Sequence, residues 1–230
     1  MRKIIGVVSY KGGVGVSTVA WGIAQNIASV FERVCLADCK RAGNLDMMIG
    51  IEDGVLFGFD DLCRGMELEA VVSKADKIDF CSAPLSGGLD EDLGYRKIQE
   101  SGYDCIVLDS PSNLEICTDV IVVTSAEPSS VRAAESLAFD LEKKELDCSL
   151  LVNRFGEFEK AVPVEEIIDR THLRLAGIVP FVPFLFEGER AHEKDNALKN
   201  AANRLKGESI PIFEGSKQRN RLKKILNVKH

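Results

Sequence analysis

The sequence predicts an α/β fold, a mostly parallel twisted sheet of about seven to eight strands with helices on both faces. Short apolar runs alternate along the chain with longer segments whose apolar residues recur at helical spacing. The runs are apolar almost throughout, which is typical of parallel strands that helices cover on both faces. A glycine-rich segment and two aspartates directly follow such runs, at the strand ends where ligands bind in folds of this class.

The predicted elements follow this alternation along the whole chain. The first strand, residues 4–9, ends at the glycine-rich segment, and the helix after it covers residues 17–31. Two further helices are predicted over residues 131–144 and 191–205. We expect one domain over residues 1–213 and a separate tail over residues 214–230. The remaining predicted strands are residues 33–37, 77–82, 105–108, 120–124, 148–153 and 176–179.

The composition predicts a cytoplasmic protein without a general role in DNA binding. The 230 residues carry a net charge of −7, which disfavours contact with a phosphate backbone. The seven cysteines are scattered without a CxxC pair, which predicts reduced core thiols; Cys35 and Cys39 could share a metal, but no further ligand lies near them. The chain runs straight into a strand without a signal peptide, and no apolar stretch approaches the roughly 18 residues of a membrane span.

The glycine-rich segment between the first strand and helix predicts a nucleotide site. Such a loop presents backbone N–H groups to phosphate, and an ordinary strand–helix turn would not need three glycines in four residues. Loops of this kind normally place a lysine before the Ser/Thr, where it reaches the β- and γ-phosphates, but Val16 stands there. The segment consists of Lys11, Gly12, Gly13, Val14, Gly15, Val16, Ser17 and Thr18.

Several segments, in order along nearly the whole chain, resemble one family. The loop is similar to the pattern KGGxGK[ST] in all but its second lysine. The segments VCLADCKRAGNLDMMIG, YDCIVLDSP and TSAEPSSVR resemble the strand-2 segment, the Walker B strand and the segment after the next strand. Residues 151–154 and 177–180 resemble the adenine-side segments. On these motifs the chain is identified as a member of the MinD/ParA family of deviant Walker ATPases. That resemblance implies a P-loop NTPase fold that binds ATP or ADP with Mg²⁺.

The resemblance also implies roles around the phosphates and the metal. The loop backbone, including Val14 and Val16, would approach the phosphates, and Thr18 would bind the α-phosphate. Ser17 would offer its hydroxyl to Mg²⁺, and Asp109 would hold the ion through water, although a plain strand-end cap would also explain this aspartate. The metal-binding candidates are Ser17, Asp38 and Asp109.

Further roles implied by the resemblance concern the dimer and the base. Lys11 would reach the nucleotide of the partner subunit in a nucleotide-dependent homodimer. Asn153 would contact adenine, and the backbone near Pro180 would close over the base, although an Asn after a strand is common without such a role. The candidate catalytic residues are Lys11, Asp38 and Lys40.

Two departures from the family pattern predict impaired hydrolysis. Val16 replaces the lysine that bridges the β- and γ-phosphates, and Lys40 replaces the acid that orients the attacking water. Phosphoryl transfer depends mostly on positioning and charge, so both losses should slow turnover. Lys40 could partly replace the missing lysine in binding, or the two changes could be independent, with Lys40 in solvent.

The C-terminal segment predicts a contact with membrane. Residues 216–230 carry six Lys or Arg and no acid, and Leu222, Ile225 and Leu226 form a small apolar stripe at helical spacing. Proteins of the family end in a membrane-targeting helix, so we expect peripheral attachment at the inner face of the cell membrane. The alternatives are a disordered basic tail or a helix packed on the core.

Together these features favour a nucleotide-dependent spatial regulator that places the division site, a pilus or a flagellum with a protein partner. Its ATP hydrolysis would be weak or absent. One alternative is an active ATPase in which Lys40 compensates for Val16, and another is a nucleotide-free scaffold. The acidic chain makes a DNA partner the less favoured alternative.

Overall fold

The computed structural model describes residues 2–144, 146–182, 189–210 and 212. The strands are β1 (Lys3–Val8), β2 (Val34–Asp38), β3 (Ser73–Ala75), β4 (Ile78–Cys81), β5 (Cys105–Asp109), β6 (Asp119–Ser125), β7 (Asp147–Phe155) and β8 (Arg174–Pro180). The helices are α1 (Val16–Ile27), α2 (Leu45–Ile49), α3 (Phe59–Leu62), α4 (Leu68–Val71), α5 (Glu91–Glu100), α6 (Pro128–Glu142), α7 (Val164–Thr171) and α8 (Glu189–Leu205).

The predicted α/β class is confirmed, because the strands form one eight-stranded sheet in the order β3-β4-β2-β5-β1-β6-β7-β8. The pairs β1–β5, β2–β5, β2–β4 and β7–β8 are parallel, whereas β3 pairs antiparallel with β4. Every residue of β2, β5 and β6 is buried, as expected for strands that are covered on both faces.

The described chain divides into two compact units. The first comprises Met1–Val8, Val16–Ile121 and Lys144–Asp147. Its core includes β2 and β5 and the buried face of α1, which carries Val19, Ile23 and Ile27. Apolar residues three and four apart explain why this segment forms a helix against a sheet.

The second unit comprises Ser9–Gly15, Val122–Lys143 and Cys148–His230. Its helix α8 packs on β8, where Gly177 lies under Ala201. The pairing of β7 with β8 skips Ala176, and the Arg204 guanidinium donates to the carbonyl of that skipped residue. Arg204 thereby pairs with a buried carbonyl oxygen that the irregular strand pairing leaves without a backbone partner.

Several predicted boundaries were wrong by a few residues. The first helix ends at Ile27 rather than at 31, because residues 28–30 turn and Val30 N–H donates to the Ile27 carbonyl. The helix predicted from 131 begins at Pro128, since proline fits the first helical position where no N–H partner is needed. The three-residue β3 was not predicted, because so short a run has no usable period.

Two sequence predictions concern segments that the structure covers only in part. The boundary at residue 214 and the basic stripe of residues 216–230 lie outside the described residues. Among the helices that the structure describes, none is long and apolar enough to cross a membrane.

Candidate functional site

The candidate residues fall in both compact units, and each unit contributes a distinct piece of chemistry. The first unit holds the predicted metal and water-orienting positions at the ends of β2 and β5 and at the start of α1. The second unit holds the glycines of the loop and the predicted adenine-side residues Asn153 and Pro180.

Two buried aspartates end neighbouring strands of the first unit. Asp38 closes β2, Asp109 closes β5, and the two are register partners in the parallel pair. Asp38 is 1% exposed and Asp109 is 0% exposed. The prediction that both aspartates lie at the carboxyl edge of the sheet is therefore confirmed. Each aspartate is the last residue of its strand rather than the first residue after it.

Burial dominates the electrostatics of Asp38. Loss of solvent and, next in size, the nearby charge of Asp109 raise the pKa of this carboxyl from its usual value to about 6. The backbone N–H groups of Lys40 and Leu45 oppose this rise by donating to the two carboxylate oxygens at 3.0 Å and 3.3 Å. The turn after β2 is thus built around the carboxylate of Asp38.

Burial also raises the pKa of Asp109, while three polar neighbours favour its charged form. The hydroxyls of Ser17 and Ser110 and the positive charge of Lys40 each lower this pKa. Ser110 donates to Oδ1 at 2.9 Å. The other oxygen, Oδ2, is buried without a hydrogen-bond partner in the described part of the chain. A buried, unsatisfied carboxylate oxygen is costly and indicates a missing cationic or donor partner.

These residues fit a hydrated divalent cation better than a cage of protein ligands. Two adjacent buried carboxylates and a hydroxyl are oxygen groups of the kind that Mg²⁺ prefers. Within the described ranges, no cluster of three or more His, Cys, Asp or Glu side chains could hold a metal. Mg²⁺ commonly keeps several waters and binds through one or two carboxylates together with substrate phosphates. The Ser17, Asp38 and Asp109 set is consistent with that mode.

The two departures from the family pattern occupy different settings in the first unit. Val16 is the first residue of α1 and is partly buried, so an apolar side chain opens this helix where a lysine is usual. Lys40 is exposed, and its charge acts on Asp109. Thr18 is partly buried, with its hydroxyl 3.9 Å from the sulfur of Met48.

In the second unit the glycine loop has the backbone of an anion-binding turn. Gly13 and Gly15 have φ values of 81° and 89°, a region that side chains rarely adopt. Gly12 is exposed, and a Cβ there would meet nothing within 4 Å. Lys11 is partly buried, and its backbone N–H donates to Ser9 Oγ at 3.2 Å. Residues 12 and 13 form a turn, and the N–H groups of Gly12, Gly13 and Gly15 donate to no group in the part of the chain that is described.

Side chains from elsewhere in the second unit anchor this loop. Asn153 Nδ2 donates to the Val14 carbonyl at 2.8 Å, and Arg154 Nη1 donates to the Gly13 carbonyl at 2.6 Å. Tyr10, which stands where the general loop pattern has glycine, donates to Asp140 on α6 at 2.9 Å. The sequence did not predict these contacts of Arg154 and Tyr10, because nothing in the spacing of the two residues links Arg154 to Gly13 or Tyr10 to Asp140.

The adenine-side predictions have a described position but no test. Asn153 is 5% exposed and is engaged with the loop, so its predicted contact with adenine stays a prediction. Pro180 ends β8 and is partly buried, and the N–H of Phe181 donates to the Phe155 carbonyl at 2.9 Å.

The first strand leads through a glycine-rich loop into a helix, and buried aspartates end neighbouring parallel strands, an arrangement that defines the P-loop NTPase fold. No family model matches the chain. It is 26% identical to the septum site-determining protein MinD of Synechocystis over 93% of each chain. These similarities support a place for the chain in the MinD/ParA family of ATPases, which includes proteins that determine the site of division.

Solved structures agree with this assignment. The fold is similar to the MinC:MinD cell division protein complex of Aquifex aeolicus, with a TM-score of 0.80, 26% identity and coverage of 93% of this chain and 99% of that one. It is also similar to MinD of Pyrococcus horikoshii complexed with Mg-ADP, with a TM-score of 0.73 over 89% of this chain and 96% of that one. At 22% identity, the second likeness concerns the fold alone.

Proposed function

We propose that this chain binds ATP or ADP with Mg²⁺ and uses the nucleotide as a structural switch, with weak or absent hydrolysis. The observation that carries the proposal is the buried pair Asp38 and Asp109, in which Asp109 keeps an unsatisfied oxygen although Val16 replaces the loop lysine. A retired site would have no need to keep two carboxylates buried side by side, since their mutual repulsion destabilises the empty protein.

Each group has a role in this proposal. The N–H groups of residues 12–15 bind the phosphate oxygens, and Thr18 supports the α-phosphate. Ser17 and the two aspartates hold the hydrated Mg²⁺, which when bound neutralises charge on the phosphates. Lys11 completes the site of a second subunit, so that the nucleotide favours a face-to-face homodimer.

The loss of the loop lysine weakens binding without abolishing it. A charge-assisted contact to phosphate contributes about 1.5–3 kcal/mol, so its absence lowers affinity by about 10- to 100-fold. Hydrolysis suffers more, because the lysine and the acid replaced by Lys40 both act where charge develops in the transition state.

Titration calorimetry of the purified protein with Mg·ATP and Mg·ADP tests the proposal, with the fluorescence of Trp21 on α1 as a second signal. Micromolar to millimolar binding supports it, and Val16→Lys should tighten binding by about 10- to 100-fold. Val16→Met, which adds length without charge, is the matched control. No binding at millimolar nucleotide would favour a nucleotide-free scaffold.

A second candidate is an active ATPase, and the charge of Lys40 on Asp109 favours it. In that case Lys40 supplies the positive charge that Val16 lacks. Steady-state phosphate release should then fall at least tenfold in Lys40→Ala while nucleotide affinity also weakens. If wild-type turnover is at background and Lys40→Asp raises it, the switch without hydrolysis is the better description.

The cellular role in this proposal is placement of the division site, a pilus or a flagellum through an unidentified protein partner. Residues 216–230 would attach the dimer to anionic lipid, since basic residues near such a surface contribute about 1 kcal/mol each. A dimer would attach through two tails and so bind the membrane more tightly than a monomer. Because the nucleotide favours the dimer, attachment would depend on the nucleotide. Co-sedimentation with anionic liposomes, with and without residues 216–230, tests this part; unchanged binding after the deletion would contradict it.

A further inference from the structure

The end of β7 is irregular in a way that aims two consecutive side chains at one loop. Val152 pairs with Ile178 and Phe155 with Pro180, so β7 contains one more residue than β8 over this stretch. Arg154 within this bulge has a φ of 56°, a left-handed conformation that few non-glycine residues adopt. Neighbouring side chains of a regular strand point to opposite faces, and a bulge can turn one of them round.

The bulge lets both side chains bind carbonyls of the glycine loop. Asn153 binds the Val14 carbonyl and Arg154 binds the Gly13 carbonyl. In a trans peptide the N–H of the next residue points away from the carbonyl. Fixing these two carbonyls therefore directs the N–H groups of Val14 and Gly15 to the opposite side of their peptide planes, and the Gly15 N–H meets no acceptor among the described residues.

The charge of Arg154 is already compensated. Its second terminal nitrogen, Nη2, forms an ion pair with Glu157, and the guanidinium carbon lies 5.8 Å from the centre of the Phe181 ring. A guanidinium held by a carboxylate and a carbonyl contributes hydrogen-bond geometry more than free charge. The left-handed backbone of Arg154 costs about 1–3 kcal/mol. Strain of this kind persists where surrounding contacts hold it, and the contact with the Gly13 carbonyl is one of those that hold Arg154.

We propose that Arg154 is a positioning residue that acts through the Gly13 carbonyl. It holds the loop with the N–H groups of Val14 and Gly15 directed at the α- and β-phosphates of a nucleoside diphosphate or triphosphate. The inference rests on the proposed function, because it assumes that the loop binds nucleotide. Arg154 makes no contact with phosphate in this arrangement.

The first test needs no nucleotide. In ¹⁵N-labelled protein, Arg154→Ala should lower the amide order parameters of Val14 and Gly15 toward the value of about 0.6 that marks flexible backbone. The alanine keeps the left-handed backbone penalty, so the comparison isolates the guanidinium. Arg170→Ala is the matched control: Arg170 lies in the same unit, is 32% exposed against 38%, and pairs with Glu135. Unchanged order parameters in Arg154→Ala would overturn the proposal.

The second test separates positioning from phosphate contact. Arg154→Ala should weaken ADP and ATP binding by the same factor, about tenfold, because fewer molecules hold the competent loop. That factor should be equal at 50 mM and 500 mM KCl, and Arg170→Ala should leave both affinities unchanged. A larger loss for ATP, or a factor that shrinks with salt, would mean that Arg154 acts as a phosphate-binding cation and would overturn the proposal. If wild-type protein binds neither nucleotide, the proposed function fails while the relaxation experiment still decides the role of Arg154.

Discussion

Replacing Gly43 by alanine should displace the buried carboxylate of Asp38. A Cβ at Gly43 would lie 2.2 Å from Oδ2 and 2.6 Å from Cγ of Asp38, whereas ordinary contacts begin near 3.4 Å. The carboxylate must therefore move by about 1 Å, since the added methyl is fixed to the backbone. Gly43 has no positive φ, so alanine meets no conformational penalty of its own there.

The size of the effect follows from what Asp38 gives up. Its two oxygens accept the N–H groups of Lys40 and Leu45 at 3.0 Å and 3.3 Å, on either side of Gly43. A hydrogen bond to a charged group contributes about 1.5–3 kcal/mol, and the displaced carboxylate stays buried beside Asp109. We expect the free energy of unfolding to fall by about 2–4 kcal/mol.

Urea unfolding of the nucleotide-free protein measures this loss, provided that the denaturant dependence is equal in both variants. Gly54→Ala is the matched control: Gly54 lies in the same unit, has no positive φ, and a Cβ there meets nothing within 4 Å. Its stability should stay within about 0.5 kcal/mol of wild type. Equal stabilities of the Gly43 and Gly54 variants would refute the reasoning about Asp38.

Three further changes have defined outcomes. The raised pKa of Asp38, about 6, contributes stability that is present below its unfolded value near 4 and is lost as pH rises through 6. Relative to Asp38→Asn, wild-type protein should therefore lose about 2.4 kcal/mol of unfolding free energy between pH 4 and pH 7.5, measured by urea titration in EDTA; a constant difference would contradict this. Asn153→Ala leaves the buried Val14 carbonyl unpaired and should lower the free energy of unfolding by about 1–3 kcal/mol, measured by chemical denaturation. Asn153→Asp should lose the same hydrogen bond, because a carboxylate has no N–H to donate. Gly177→Val should lower the melting temperature by several degrees, because even a Cβ there lies 3.2 Å from that of Ala201; an unchanged melting temperature would show that α8 gives way freely.

The sequence was informative where one local pattern determines one local structure. The apolar runs predicted most of the sheet, and the placement of Asp38 and Asp109 at one sheet edge followed from strand ends alone. Helix α5 was missed although its signal is present, since Asp90 caps the helix and accepts the Leu93 N–H at 3.0 Å. An acidic N-cap and first turn before a weakly apolar segment is a recognisable start signal.

The contacts of the loop could not be predicted, because they depend on how β7 pairs with β8. A bulge is a property of the register between two strands, and the segment Leu151–Asn153 has an ordinary strand pattern. The left-handed turn at Arg154 is equally invisible, since arginine has no preference for it. The anchoring of Tyr10 on Asp140 joins residues 130 positions apart and has no local signature.

The two irregularities between β7 and β8 compensate each other. The pairing skips Ala176 on β8 and later takes up one extra residue around Arg154 on β7, so Phe155 and Pro180 end in the same alignment with which Leu150 and Leu175 began. Deleting Ala176 or Arg154 alone would shift the pairing register of the following residues by one position. Each later side chain of that strand would then face the opposite side of the sheet. Deleting both should restore the alignment, so we expect strong positive epistasis: the double deletion should fold better than either single one, yet its loop would lack the contact that the extra residue provides.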